Sequence, residues 1–152
     1  MPQKVLLIII AMIVVGLVIL TYQKKKYFYI GTFISNKNGN NLVFDISGTG
    51  HYLLNRTIIP QSPNSRAFFK IEEGTYQKKE KFLQIKPDKQ KCYLYKNVKE
   101  LVQNNYYEQK DLQPEKYKIL IENHELLFDN QKLKRLKKGK VISAKQFAKF
   151  KK

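Results

Sequence analysis

The sequence predicts a mainly β protein, with an N-terminal transmembrane helix followed by a single antiparallel β-barrel of about eight strands and a short basic helix at the C-terminal end. Three observations carry this expectation. Residues Val5 to Leu20 are apolar or glycine without interruption. From Tyr27 onward, short runs rich in aromatic and β-branched residues alternate with Asn, Gly and Pro turn signals. A Gly-Thr-aromatic strand start occurs twice, at Gly31-Thr32-Phe33 and at Gly74-Thr75-Tyr76.

The apolar segment comes first. Thr21 and Tyr22 extend it to eighteen residues with no charge inside. At ~1.5 Å per residue it spans roughly 27 Å, close to the hydrocarbon thickness of a bilayer. Tyr22 stands where an interfacial aromatic belongs. Two processing outcomes compete, a cleaved signal peptide and an uncleaved signal anchor. The run ends Val18-Ile19-Leu20-Thr21-Tyr22-Gln23, without the small-residue pair that cleavage requires, so the anchor is preferred. Lys24, Lys25 and Lys26 outnumber Lys4 across the segment, which by count points to a cytoplasmic domain. Long domains translocate largely regardless of charge, however. The expected location is therefore the cell membrane, single-pass, with the domain extracytoplasmic. The lysine-, asparagine- and isoleucine-rich composition resembles AT-rich coding, consistent with a bacterial envelope protein.

The remaining elements follow in order. Tyr27 to Ile34 forms the expected first strand, and Asn36 to Asn41 a turn with an Asn-Gly step. Leu42, Phe44 and Ile46 alternate along the second strand, Ser47 to Gly50 turns, and His51 to Leu54 returns. Pro60 to Arg66 is a loop. Phe68 to Ile71 leads to Gly74-Thr75-Tyr76, Phe82 to Ile85 is a strand, Lys86 to Lys89 a turn and Cys92 to Tyr95 the next strand. Asn97 and Glu100 have capping-box spacing and place a short helix over Val98 to Val102. Asn104 to Glu115 is a polar loop. A final meander runs through Tyr117 to Ile121, Glu125 to Phe128 and Leu133 to Leu136. Glycine ahead of an aromatic lets a sheet bend or another backbone approach, which suits closure into a barrel. The expected division is 1–26 anchor with basic flank, 27–140 barrel and 141–152 basic tail.

Gly31-Thr32-Phe33, Leu42-x-Phe44, Gly48 and the echo at Gly74-Thr75-Tyr76 resemble the lipocalin-like small up-and-down barrels over residues 27–136. The opening aromatic is Phe33, where lipocalins prefer tryptophan, and the chain has no tryptophan. The resemblance implies a barrel that can enclose a small ligand, and it transfers no ligand-contacting residue.

Charge narrows the partners. Of 29 cations, Lys4, Lys24, Lys25 and Lys26 flank the apolar segment, and the other 25 stand against all 12 acids. Such a surface attracts polyanions. Residues 131–152 hold ten cations and no acid. The candidate anion-binding patch is Lys132, Lys134, Arg135, Lys137, Lys138, Lys140, Lys145 and Lys149. Ser143 could cap a helix there, with Phe147 and Phe150 on one face. The expected partners are the membrane, an anionic lipid or cell-wall polymer, and an envelope protein. Nucleic acid is disfavoured, because the anchor restricts access and no nucleic-acid motif is visible.

Catalytic constellations are absent from the sequence. His51 and His124 are the only histidines and stand 73 positions apart, so no metal site is expected. Cys92 is the only cysteine, which excludes an internal disulfide. There is no Gly-x-Ser-x-Gly elbow, phosphate-binding glycine loop or paired-carboxylate spacing. The expectation is a binding module, with no enzyme activity and no cofactor.

Overall fold

A computed structural model describes residues 3–62 and 64–136. The expected C-terminal helix and the whole of the expected 141–152 tail lie outside these residues. Helix α1 (Gln3–Lys26) carries the apolar segment. None of Val5–Gln23 is buried, and the helix is long and apolar enough to cross a membrane. An apolar surface on every side has no partner in the barrel, which is the arrangement lipid would satisfy.

A turn after the helix takes up the beginning of the expected first strand. Tyr27 N–H donates to Gln23 O at 3.0 Å and Ile30 N–H donates to Tyr27 O at 3.1 Å, closing a turn. Strand β1 (Gly31–Lys37) begins only there. The aromatics ahead of it turn their rings onto the barrel end. Phe28 meets His124 edge-on at 5.3 Å between centroids, and Tyr29 meets Tyr76 at 6.0 Å.

The chain then runs up and down through β2 (Asn40–Ile46), β3 (His51–Ile58), β4 (Ala67–Lys78) and β5 (Phe82–Tyr95). After α2 (Val98–Gln103) and β6 (Glu108–Asp111), it continues through β7 (Tyr117–Glu122), β8 (Glu125–Phe128) and β9 (Gln131–Arg135). Every pairing is antiparallel, and all strands except β6 form a closed eight-strand ring. The seam between β9 and β1 is short: Phe33 faces Arg135, Ile34 faces Lys134, and Leu136 N–H donates to Thr32 O at 2.8 Å.

Tight turns set the register. Asn38-Gly39, Asn123-His124 and Asp129-Asn130 all have positive φ at both positions, the geometry whose twist matches paired strands. The expected alternation holds: Leu42, Phe44 and Ile46 point inward. They meet Phe33, Tyr52, Leu54, Leu83, Ile85, Ile119, Leu126 and Leu133, all at most 4% exposed. Each such buried side chain contributes ~1.5–3 kcal/mol.

Two expectations are corrected here. Lys86 to Lys89 is not a turn, because β4 and β5 form one long hairpin. Glu73 pairs with Lys89 and Gly74 with Pro87, so Asp88 is the extra residue of a bulge. Proline, lacking an N–H, is tolerated in a sheet at such an irregularity. A Cβ at Gly74 would lie 2.3 Å from Lys86 O and 2.8 Å from Pro87 Cα, so only glycine admits this approach. The expected polar loop after α2 contains a strand, β6, which pairs with Lys91 to Leu94 of β5. The expected cap of α2 is present, with Glu100 N–H donating to Asn97 Oδ1 at 3.0 Å.

Candidate functional site

Cross-strand neighbours share a face, so the register sorts every side chain into inside or outside. Inside, one end of the core is polar. Phe68, Lys70, Glu72, Gly74 and Tyr76 share the inward parity of β4. Glu72 is 1% exposed. Its Oε1 accepts from the Tyr52 hydroxyl at 2.7 Å and from the Tyr117 hydroxyl at 2.6 Å. Its Oε2 accepts from Gln90 Nε2 and lies 3.4 Å from Lys70 Nζ. A buried carboxylate is tolerated when its lone pairs are met in this way. Burial first, and then the Glu72 carboxylate, push the hydroxyl pKa of Tyr52 and Tyr117 far above the ordinary tyrosine value.

Further along the same interior, Arg56 donates from Nε to Asn40 Oδ1 at 3.0 Å and pairs with Asp129 at 3.3 Å. Ser35 donates to Gln131 Oε1 at 2.8 Å. The interior is therefore filled by its own side chains, apolar at the core and internally paired where polar. A hollow of about 130 Å³ lies on the outside, lined by Thr75, Tyr76, Gln77, Gln84, Lys86 and Lys116. On the outer face of β3, Asn55 is 6% exposed and its Oδ1 has no hydrogen-bond partner.

The end from which α1 leaves gathers several elements. The Ser47 to Gly50 turn, the β4–β5 hairpin tip, the Asn123-His124 turn and residues 27–30 all meet there. The Tyr76 hydroxyl donates to Ser47 O, and Tyr76 N–H donates to Gly50 O at 2.9 Å. Lys78 Nζ lies 5.7 Å from the centre of the Tyr29 ring. The hairpin tip reads Lys78-Lys79-Glu80-Lys81, all exposed.

The patch expected from the sequence is only partly within the described residues. Lys132 and Lys134 lie on the outside of β9, where Lys132 pairs with Glu125 at 2.5 Å. Arg135 has the opposite parity and lies over Gly31 at the barrel end. Strand alternation thus splits these three cations between two faces. Lys137, Lys138, Lys140, Lys145 and Lys149 lie outside the described residues. Sequence reading missed the Glu72 cluster and the lysine-rich hairpin tip. The first was hidden because its partners come from four strands, Tyr52 of β3, Lys70 of β4, Gln90 of β5 and Tyr117 of β7, and the bulge at Asp88 is what turns Gln90 inward. The second is visible in the sequence as a charge run between two strands.

His51 and His124 sit at separate turns, and no group of three or more potential metal ligands occurs among the described residues. Cys92 faces inward opposite Lys70, and burial raises its thiol pKa more than Lys70 and Lys110 lower it. That environment does not favour a thiolate nucleophile. In comparison with known protein families, with curated proteins and with solved structures, nothing matches the chain. The closed eight-strand antiparallel barrel is compatible with a lipocalin-like architecture.

Proposed function

We propose that this chain is a single-pass membrane protein whose barrel is a filled scaffold and whose binding is done at its surface, to an anionic component of the envelope. The carrying observation is the joining of two parts. An apolar helix with no buried residue over Val5–Gln23 ends four residues before a closed, basic barrel whose interior is occupied by its own side chains. A filled interior favours contact at the surface over carriage of a small apolar ligand, which needs an enclosed cavity. The net charge of +17 supplies long-range attraction to phosphate or carboxylate polymers.

The test has two parts. The intact chain stays in the membrane pellet after a carbonate wash, and its recovery in the soluble fraction would refute the tether. The full chain in neutral-lipid nanodiscs binds wall polymer more tightly than DNA of equal charge density. Equal weak binding to both leaves the charge without a specific partner and overturns the surface-binding reading. Sidedness is read with Lys99→Cys in a Cys92→Ser background, which an impermeant thiol reagent labels in whole cells if the domain is extracytoplasmic.

A further inference from the structure

We propose that the barrel end nearest α1 is a lipid-docking surface, which seats the domain on the anionic headgroups of the membrane that holds its helix. This rests on the tether proposed above and adds an orientation to it. Four residues, 27–30, join the helix to β1. Even fully extended they reach about 14 Å, so whichever way the helix tilts, this end stays close to the headgroups.

The chemistry of that end fits the position. The β4–β5 tip presents Lys78, Lys79 and Lys81, and β9 brings Arg135 to the same end beside Gly31. None of these four forms an ion pair among the described residues. The acids nearby are Glu80, Glu122 and Asp45, of which Asp45 accepts from the Thr32 hydroxyl, while Glu125 is engaged by Lys132. At the far end Arg56 is tied to Asp129 and Lys110 to Glu108, while Lys37, Lys96 and Lys99 form no ion pair among the described residues, so what sets the near end apart is its place at the base of the anchor. Aromatics accompany the cations. Tyr22 is 64% exposed and Tyr27 is 43% exposed, on either side of the helix end, where amphipathic rings settle at a headgroup layer. Tyr29 joins the two sets, packed on Tyr76 with Lys78 Nζ over its ring. The barrel end is therefore cationic, aromatic and joined to the base of the anchor by a four-residue link.

The experiment uses the full chain with Glu80→Cys in a Cys92→Ser background, labelled at residue 80 with a fluorophore and reconstituted in vesicles. The vesicles are phosphatidylcholine alone or phosphatidylcholine mixed with phosphatidylglycerol. The proposal expects the label to be shielded from an aqueous quencher in the anionic vesicles and open in the neutral ones, with shielding lost in high salt. Each cation near an anionic surface is worth about a factor of five, so Lys78→Gln, Lys79→Gln and Lys81→Gln together lower the docked-to-free ratio about a hundredfold. A control at the far end, Lys37→Gln, Lys96→Gln and Lys99→Gln, removes the same charge and leaves shielding unchanged. Equal quenching in both vesicle types, or equal loss in both triple variants, overturns the docking while the carbonate-resistant tether stands. Release of the chain by carbonate overturns both.

Discussion

Glu72 decides how the polar end of the core is built. One carboxylate serves two tyrosine hydroxyls, an amide and an ammonium, and the buried Tyr52 hydroxyl would be an unmet group without it. The fold holds the Tyr52 and Tyr117 protons more tightly than the unfolded chain, whose tyrosines titrate near 10.0. Above that value the unfolded state releases protons that the folded state retains. Stability is complete below pH 10 and falls as pH rises, by ~1.4 kcal/mol per pH unit for each such tyrosine. Urea midpoints of the full chain in detergent, taken across this alkaline range, check it. Tyr117→Phe is expected to flatten the slope by one tyrosine's share, and an unchanged slope would count against the cluster. At Gly74 the constraint is steric. Gly74→Ala forces a methyl group to within 2.3 Å of the Lys86 carbonyl and is expected to cost about 1–3 kcal/mol. Gly48→Ala meets nothing closer than Ile30 Cδ1 at 3.6 Å and should be nearly neutral in the same assay.

Among the elements, legibility followed how local the cause was. The alternation of Leu42, Phe44 and Ile46 is written in the sequence, because a strand with one dry face needs period two. The Asn-Gly turn and the Asn97 cap are likewise local chemistry. Pro87 misled because its local preference is a turn, whereas the facing Gly74 lets it sit at a bulge inside a strand. Strand β6 was invisible because Glu108, Gln109, Lys110 and Asp111 are all exposed, so only the ladder to β5 makes them a strand. Tyr27 to Ile30 has strand-like composition but is taken up by the turn after the helix and by rings that cover the barrel end. The candidate sites divide in the same way. The lysine run at the β4–β5 tip is legible as charge, and its place beside the anchor is not, since that depends on which strands turn at which end.

For the whole molecule, stability is uneven around the ring. Strands β3 and β4 pair over eight residues, whereas β9 and β1 pair over two. The seam is the place where the closed sheet opens at least cost, since few ladder bonds are lost there. Hydrogen exchange of the full chain is expected to be fastest for strand amides at Leu133 to Leu136 and slowest in β3 and β4. Uniform protection around the ring would mean that packing across the core, rather than the ladder, sets local opening.

Eight strands is an even number, so β1 begins and β9 finishes on the same side of the ring. Only returns are left at the opposite rim: the Asn38-Gly39 hairpin, the stretch around Pro60, the α2–β6 excursion and the Asp129-Asn130 hairpin. Lengthening any of these leaves strand order and attachment untouched. That rim is the place where relatives of this chain could vary freely, and where a foreign peptide could be grafted without disturbing the base.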